Sequence, residues 1–445
     1  MAVVSDLFNA RIPFQLFRHS ELAKRLRQGI YVAMIGKDGY PFVFNRVVEG
    51  DEEYYPASPN LYVHIPFCRS ICTHCPYNKV IFRDGSYRAY SAALINELTH
   101  YLARPDTPLI QTLYFGGGTP SMTPDLIQQV IQQAQGRFAE HIEIGVEIHP
   151  NDATVEQLRA LKHMGVNRVS LGIETFKREL LRLLGRNYTP EQAEQAIQSA
   201  RAIGFECVDV NLIYGIPGQQ VESALADVRR CVALGVDHLS AYPLITFEHT
   251  RLGRLVKEGK FREYGDRQRA RTQREIARFC LAKGFERTSV WSFTRARSAV
   301  YTTVTRESYV GFGAGAGSKV DGEFWFNTFS VPEYSNLIQP RPAIRLKTSE
   351  KFRRLHWLYW QIYRTRIDPQ QYEAIFHRDL VKDFRLAIAL MRLLGWLRHK
   401  DAAFTFTDRG ARWSHRFQML FSLTFIDEVW TQCQREAWPE QIVLH

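Results

Sequence analysis

Residues 61–75 read LYVHIPFCRSICTHC. LYVHI is a strand candidate, and Pro66 closes it. Three cysteines then crowd into eight residues: Cys68, Cys72 and Cys75. A dinucleotide-binding sheet would carry a GxGxxG turn after its first strand. A cysteine cluster stands there instead, which disfavours that fold.

Downstream, strand and helix patterns alternate. The later strand candidates are TLYF, IEIGVEI, RVSLGI, CVDVNLIYG and HLSAYPL. Helical stretches between them include YSAALINELTHYLA, TPDLIQQVIQQAQ, TVEQLRALKHMG, TPEQAEQAIQSARAIG and VESALADVRRCVALG. Several open on Thr or Ser before an acidic residue, as capped helix N-termini do. Several close on glycine (Gly165, Gly204, Gly235), which takes the left-handed conformation that ends a helix. Six alternations predict an α/β fold with a parallel sheet and outer helices, either a barrel or an open doubly wound sheet.

Residues 1–55 stand apart as an N-terminal extension, where a short helix-like piece, SELAKRLRQ, is followed by KDG between two apolar runs (GIYVAMIG and YPFVFN), which predicts a hairpin. Residues 56–340 form the main unit. Its later part contains a long helix, DRQRARTQREIARFCLAKGF, and two strand-like runs, ERTSVWSF and SYVGFGAGAGS. Residues 341–445 are predicted mainly helical and winged-helix-like, with AAFTFTDRGARW as the wing.

The chain has 445 residues, 45% of them hydrophobic, which suits a globular protein of two or three units. No apolar run reaches 18 residues, so no membrane span is expected, and the first residues lack a signal-peptide layout. A reducing cytoplasmic location is the expectation. Cys207, Cys231, Cys280 and Cys433 sit in apolar patterns and read as buried small hydrophobes. The net charge is +11, with denser basic patches at residues 18–27, 178–186, 267–278 and 341–354. Such a surplus is a solvated surface, or else it serves a carboxylate-bearing substrate or an acidic electron donor. Basic C-terminal helices leave a DNA-binding reading open, but substrate capping is preferred and no nucleic-acid partner is expected.

The cysteine spacing is C-x3-C-x2-C. Zinc sites usually take four ligands in two separated pairs. No second pair exists here, although His64 and His74 leave a three-cysteine, one-histidine site open. Three thiolates suit a 4Fe–4S cluster with one iron left open, and an open metal position is where chemistry happens. The open iron could chelate the amino and carboxylate groups of S-adenosylmethionine (SAM). A loop directly after the first strand lies at the C-terminal mouth of an α/β barrel, where such barrels carry their active sites.

The motifs resemble the radical SAM superfamily, in the branch containing oxygen-independent coproporphyrinogen dehydrogenase. YVHIPFC, GGGTP (116–120), VEIHP, RVSLGIETF, NLIYGIPGQ and GFGAGAGS (311–318) follow in family order over roughly residues 56–420. The resemblance implies a partial (β/α)6 TIM-like barrel with Cys68, Cys72 and Cys75 on the cluster. It places Tyr62 near the bound SAM, with Gly117, Gly118 and Thr119 receiving the SAM amino group. Glu147 and Glu174 become polar SAM contacts at strand ends, and Arg186 faces the SAM carboxylate. Glu174 stands where the dehydrogenase carries Gln.

Two departures count against coproporphyrinogen decarboxylation. Pro76 and Tyr77 follow Cys75 where the dehydrogenase has a fourth cysteine, and Asn211 replaces an Asp, with Asp209 two residues earlier. The N-terminal 55 residues, CRSICTHC and MLFSLTFIDEVW look most like the anaerobic haem-degrading radical SAM methyltransferases of the ChuW/HutW type.

That family implies haem as substrate, opening of the macrocycle with release of iron, and a methylated linear tetrapyrrole as product. A second SAM near Gly118 and the 311–317 stretch, touching Gly313 and Ala314, becomes plausible. His19, His64, His74 and His149 are candidate haem-iron ligands, and Phe14, Phe17 and Arg18 candidate lid residues. A flavodoxin-like or other low-potential donor is the expected electron source, and a monomer the expected state. A coproporphyrinogen dehydrogenase and a haem-binding chaperone remain the alternatives.

Overall fold

The computed structural model describes residues 20–48, 56–261, 264–295 and 307–445. Phe14, Phe17, Arg18 and His19 lie outside the described residues. Strand β1 (Phe42–Arg46) belongs to a smaller sheet taken up below, and β2 (Asn60–Ile65) opens the main one. β3 (Phe67–Cys68) and β4 (Val80–Ile81) pair with each other at the base of the cysteine loop. β5 (Ile110–Gly117), β6 (Phe138–Ile148), β7 (Arg168–Glu174), β8 (Cys207–Tyr214) and β9 (His238–Pro243) then continue from β2 as parallel neighbours in sequence order. Helices Asp84–Leu102, Pro124–Ala134, Val155–His163, Pro190–Ile203 and Val221–Ala233 connect them.

β10 (Glu286–Arg287) and β11 (Ser292–Thr294) extend the β9 edge antiparallel, and β12 (Val310–Phe312) lies parallel to β2 on the other edge. The two edges do not pair, so the sheet is an open, partial barrel.

The helices end where the sequence says. Thr189 and Gln192 form a capping box at Pro190–Ile203, and Gly204 stops that helix at φ 77°. Along each strand one face packs Leu61, Val63, Ile65, Leu113, Phe115, Val169, Leu171 and their like under the helices. The other face carries Tyr62, His64, Tyr114, Glu147, Ser170, Asp209, Asn211, His238 and Tyr242. This face is concave: the Tyr242 hydroxyl on β9 lies 3.5 Å from Glu174 on β7, across β8.

The second sheet runs β13 (Gly317–Val320), β14 (Glu323–Phe326), β15 (Ile344–Lys347), β1, β19 (Gln441–Leu444), every pair antiparallel. The expected N-terminal hairpin is corrected here. The short helix expected at SELAKRLRQ is present, capped by Ser20, but it runs on through the first apolar run as Glu21–Ile35, and KDG is one 3-10 turn. Ala23, Arg27, Tyr31 and Ile35 recur every fourth residue and face inward. Tyr31 packs on Tyr40, Phe42, Phe421 and Phe425. This helical stripe outweighs the local turn signal. β1 pairs instead with β15 and β19.

Further along, β16 (Arg366–Ile367), β17 (Leu397–Lys400) and β18 (Ala403–Phe406) make a third sheet beside helices Glu350–Tyr363, Pro369–Phe376, Leu380–Asp383 and Arg385–Leu393. The segment expected as a wing supplies the second strand of the antiparallel β17–β18 hairpin. DRGARW, expected within it, instead begins the 28-residue helix Asp408–Arg435, capped by Thr407. Cys207, Cys231, Cys280 and Cys433 are buried as expected.

The late glycine-rich stretch is anchored to the first barrel helix. Glu97 accepts from Gly313 N–H at 2.8 Å, Asn327 Nδ2 at 2.7 Å and Tyr334 hydroxyl at 2.5 Å. Replacing Glu97 with Ala strips three donors of their acceptor. The expected loss is about 2–3 kcal/mol, read as a lower urea midpoint, with a smaller loss for Glu97→Gln, which keeps an acceptor oxygen.

Candidate active site

The cysteine loop is closed by backbone bonds at its base. Val80 N–H donates to Pro66 O at 2.7 Å and Phe82 N–H to Cys68 O at 3.0 Å. The turn after β5 grips it from the side: Gly118 N–H donates to Ile65 O and Thr119 N–H to Phe67 O, each at 2.8 Å. A Cβ on Gly118 would stand 2.7 Å from the Phe67 carbonyl oxygen, so only glycine allows this approach. Thr119 Oγ1 donates to Cys68 Sγ at 3.5 Å.

The far side of the loop rests on a short helix that sequence reading missed, Arg178–Leu184. Thr73 N–H and Oγ1 donate to Leu184 O (3.0 Å) and Leu183 O (2.8 Å). Gly185, at φ 75°, leaves room for the Thr73 backbone. Lys79 Nζ ties the loop's end by donating to Cys75 O at 2.8 Å and Tyr77 O at 2.9 Å.

Thus Cys68, Cys72 and Cys75 are free thiols on one tethered loop at the mouth of the sheet. Burial pushes the Cys75 thiol up to about 11 and raises Cys68, against the Thr119 hydrogen bond. A metal cluster that binds thiolates reverses that preference. The zinc alternative needs four donors around one ion. Among the described residues no three His, Cys, Asp or Glu side chains, the loop cysteines included, are gathered closely enough to hold one metal ion, so the loop brings the three thiols to one mouth without closing them on a common centre.

Behind the loop runs a chain of hydrogen bonds. Tyr62 hydroxyl meets His64 Nδ1 at 2.9 Å, and His64 Nε2 meets Asn78 O at 2.8 Å. Asn78 Nδ2 continues to Ala314 O and Phe329 O at 3.0 and 2.9 Å. Tyr90 hydroxyl donates to His64 O. Gly313 packs so tightly that a Cβ there would lie 2.5 Å from His64 O. Gly313 and Ala314, expected to touch a cofactor, therefore stand in the wall behind the loop.

The candidate haem ligands also find other partners. Both ring nitrogens of His64 are engaged, His74 Nδ1 faces Leu184 O at 3.3 Å, and His149 Nδ1 accepts from Asn151 N–H at 3.2 Å. Burial lowers all three, to about 4, 3 and 3.

Facing the loop is a cleft. Tyr62, Tyr114, Glu147, Gly172, Asn211 and Tyr242 each keep partial solvent contact, whereas Ser170, Asp209 and His238 beneath are sealed. The floor is a hydrogen-bonded chain: Asn211 Nδ2 to Ser170 Oγ (2.7 Å), Ser170 Oγ to Asp209 Oδ2 (2.5 Å), and Asp209 Oδ1 to His238 Nδ1 (2.5 Å).

Glu147 accepts from Tyr114 hydroxyl (2.9 Å) and Gly117 N–H (3.3 Å). Burial raises its carboxyl to about 7, against those hydrogen bonds. A bulge at the end of β7 puts Glu174 at φ 59° and turns it toward Arg186, with which it forms an ion pair. Arg186 Nε is buried without a hydrogen-bond partner among the described residues. A buried guanidinium N–H that the protein leaves unpaired, on an arginine close to Cys72 and Cys75, would be satisfied by an anionic ligand group such as the carboxylate of SAM.

Tyr77 overhangs this cleft. It is 49% exposed and packs at a tilt of 51° against Trp430 of the long C-terminal helix, ring centres 5.7 Å apart, and Trp430 lies nearly parallel to Phe247 at 6.1 Å. His249 joins the same helix to the loop, with Nε2 at 3.0 Å from Pro76 O and Nδ1 at 3.4 Å from Asp427. Sequence reading missed this wall, and also Tyr114, Tyr242, Ser170 and His238. The strict alternation of polar and apolar residues in strands expected to be covered on both faces would have found the last four.

Residues 62–231 match the Radical SAM superfamily. The chain is 31% identical over 288 residues to the heme chaperone HemW of Bacillus subtilis, covering 62% of this chain and 75% of that one. It is 34% identical over 192 residues to the oxygen-independent coproporphyrinogen III oxidase of Pseudomonas aeruginosa, 41% of each chain. The coproporphyrinogen III oxidase HemN of Escherichia coli has the same fold, with TM-score 0.70 at 23% identity over 87% of this chain and 98% of that one.

Two outcomes test the site. Gly118→Ala should displace the loop and lower bound iron and visible cluster absorbance by about tenfold after anaerobic reconstitution. Glu147 binds its proton more tightly folded than unfolded, so its stabilisation is full below the unfolded value of 4.5 and lost as pH rises through about 7. Glu147→Gln should flatten that part of the decline in urea midpoint between about pH 5 and pH 8.

Proposed function

Because the chain belongs to the radical SAM superfamily, beside heme chaperones and oxygen-independent coproporphyrinogen III oxidases, and so takes a 4Fe–4S cluster and SAM, we propose that it opens the haem macrocycle without oxygen. In this reading a methyl-derived carbon reaches the macrocycle, iron leaves, and the product is a methylated linear tetrapyrrole. The observation that carries it is the aromatic wall of Tyr77, Trp430 and Phe247 beside the cysteine loop. A broad planar apolar ligand packs on such a wall, and the polar cleft beneath can hold SAM.

Cys68, Cys72 and Cys75 would hold the cluster. When bound, the cluster supplies the electron that cleaves SAM into methionine and a carbon radical. Tyr62 and the turn at Gly117, Gly118 and Thr119 would position SAM, with Glu147 accepting from its ammonium group. The unspent Arg186 donor would meet its carboxylate, while Glu174 holds that guanidinium in place, and Asn211 would face the ribose side. A second SAM would sit on the Gly118 side of the cleft, because Gly313 and Ala314 are packed away. Tyr77 overhanging the mouth would keep water and stray hydrogen donors out. The electron would come from a low-potential acidic donor of the flavodoxin kind, suited to a chain of net charge +11.

The 31% identity to a heme chaperone favours a second reading, in which haem is held without being transformed. Anaerobic incubation with SAM, haem and a reductant separates the two. Loss of the Soret band, 5′-deoxyadenosine, and a haem-derived product carrying an added one-carbon unit are expected, and Cys72→Ala should abolish all three. An unchanged haem spectrum with haem bound supports the chaperone. SAM cleavage with intact haem, and carbon dioxide released from coproporphyrinogen, supports the oxidase. Tyr77→Ala should weaken haem binding about tenfold by removing one ring of that wall.

A further inference from the structure

We propose that the helix Arg385–Leu393 is a docking surface for an anionic membrane. This inference is independent of the reaction proposed above. Leu386, Leu390 and Leu393 are 81%, 55% and 84% exposed, on one stripe at i, i+4 and i+7. Ile388 and Met391, on the opposite face, are buried in the core beside the third sheet. The helix therefore needs only its inner face to fold, and three leucines project from its outer face. Single exposed leucines are ordinary. Three aligned on a convex helix form an apolar ridge.

Charge says what the ridge meets. Arg385 and Arg392 lie together along one flank of the stripe, about two helical turns apart, both exposed. Arg398 and Lys400, exposed on the strand that follows, extend the basic rim. Among the described residues none of these four cations has a carboxylate partner. Of the nearby acids, Asp383 is already held by Arg354 and Arg378, and Asp379 caps its own helix. Asp401 stands at the hairpin tip. A leucine ridge with unpaired arginines along its side is complementary to an anionic bilayer surface: leucines enter the acyl boundary and the long basic side chains reach headgroup phosphates.

This helix precedes the β17–β18 hairpin, where a winged-helix DNA reader would place its recognition helix. Base edges and phosphates demand polar side chains there, and three leucines offer none. No described helix is long and apolar enough to cross a membrane, so the contact would be peripheral.

The test is flotation of the full-length, cluster-loaded protein with vesicles. Vesicles of phosphatidylcholine alone are compared with an equal mixture of phosphatidylcholine and phosphatidylglycerol. Binding to the mixed vesicles is expected, weakened at high salt, with little on phosphatidylcholine. The double change Leu386→Glu with Leu393→Glu should lower it by tenfold or more, on the order expected from unburying two leucines. Arg385→Gln with Arg392→Gln should lower it several-fold and reduce its salt dependence. These positions are exposed, and unchanged thermal melting confirms that each variant folds. Three results would overturn the proposal: no binding of the wild-type protein to mixed vesicles, binding that survives the leucine changes, or salt-dependent binding of duplex DNA or an acidic protein that those changes abolish while vesicles are ignored.

Discussion

Two backbone hydrogen bonds hold the reactive end of this protein together. They run from the turn after the second barrel strand, Gly118 and Thr119, to the carbonyls of Ile65 and Phe67 at the end of the first. Each is worth only about 1 kcal/mol by itself. Their importance is geometric. They set where Cys68 stands relative to the sheet, and they do so because Gly118 has no side chain to hold the two turns apart. Everything else around the loop works outward from that contact. The helix Arg178–Leu184 supports Thr73, Lys79 gathers the carbonyls of Cys75 and Tyr77, and Asn78 ties the exit to the late glycine-rich stretch.

The concave face of the sheet is unusual in its polarity. Parallel strands are ordinarily apolar on both sides. Here one side carries tyrosines, carboxylates, serine, asparagine and histidine, and each sealed member of the floor has a partner in the next strand. A half-satisfied network would be costly in such a place. Against that satisfied floor, Arg186 Nε beside the cysteine loop stands out as a buried donor with no hydrogen-bond partner among the described residues.

What could be read from the sequence was what is local. Six strands, their connecting helices and the cysteine loop follow from patterns that lie within about 15 residues. The second half of the first helix was misread for the same reason. KDG looks like a hairpin turn from its immediate neighbours, while the stripe Ala23, Arg27, Tyr31, Ile35 gains its meaning from Phe421 and Phe425, nearly 400 residues away. Helix Arg178–Leu184 was passed over because its seven residues are too few to show a helical period. The wall of Tyr77, Trp430 and Phe247 could not be read at all, because it joins three segments that only the fold brings together. Motif positions marked Gly313 and Ala314, but motif position does not distinguish a ligand contact from a packing constraint.

The smaller sheet has a consequence for how the molecule is made. Its inner strand β1 pairs on one side with β15 and on the other with β19, at residues 344–347 and 441–444. During synthesis on the ribosome the parallel barrel strands can associate as they emerge, each with the one before. Strand β1 leaves the exit tunnel before all of them and still waits for two partners, the later of which is finished only at residue 444. One of its edges stays open until β15 is made and the other until β19 is, and Phe42 and Phe44 on it are buried in the completed sheet. The nascent chain therefore carries an unpaired apolar strand for most of its translation, a hazard that a holding chaperone or rapid helix docking would have to manage.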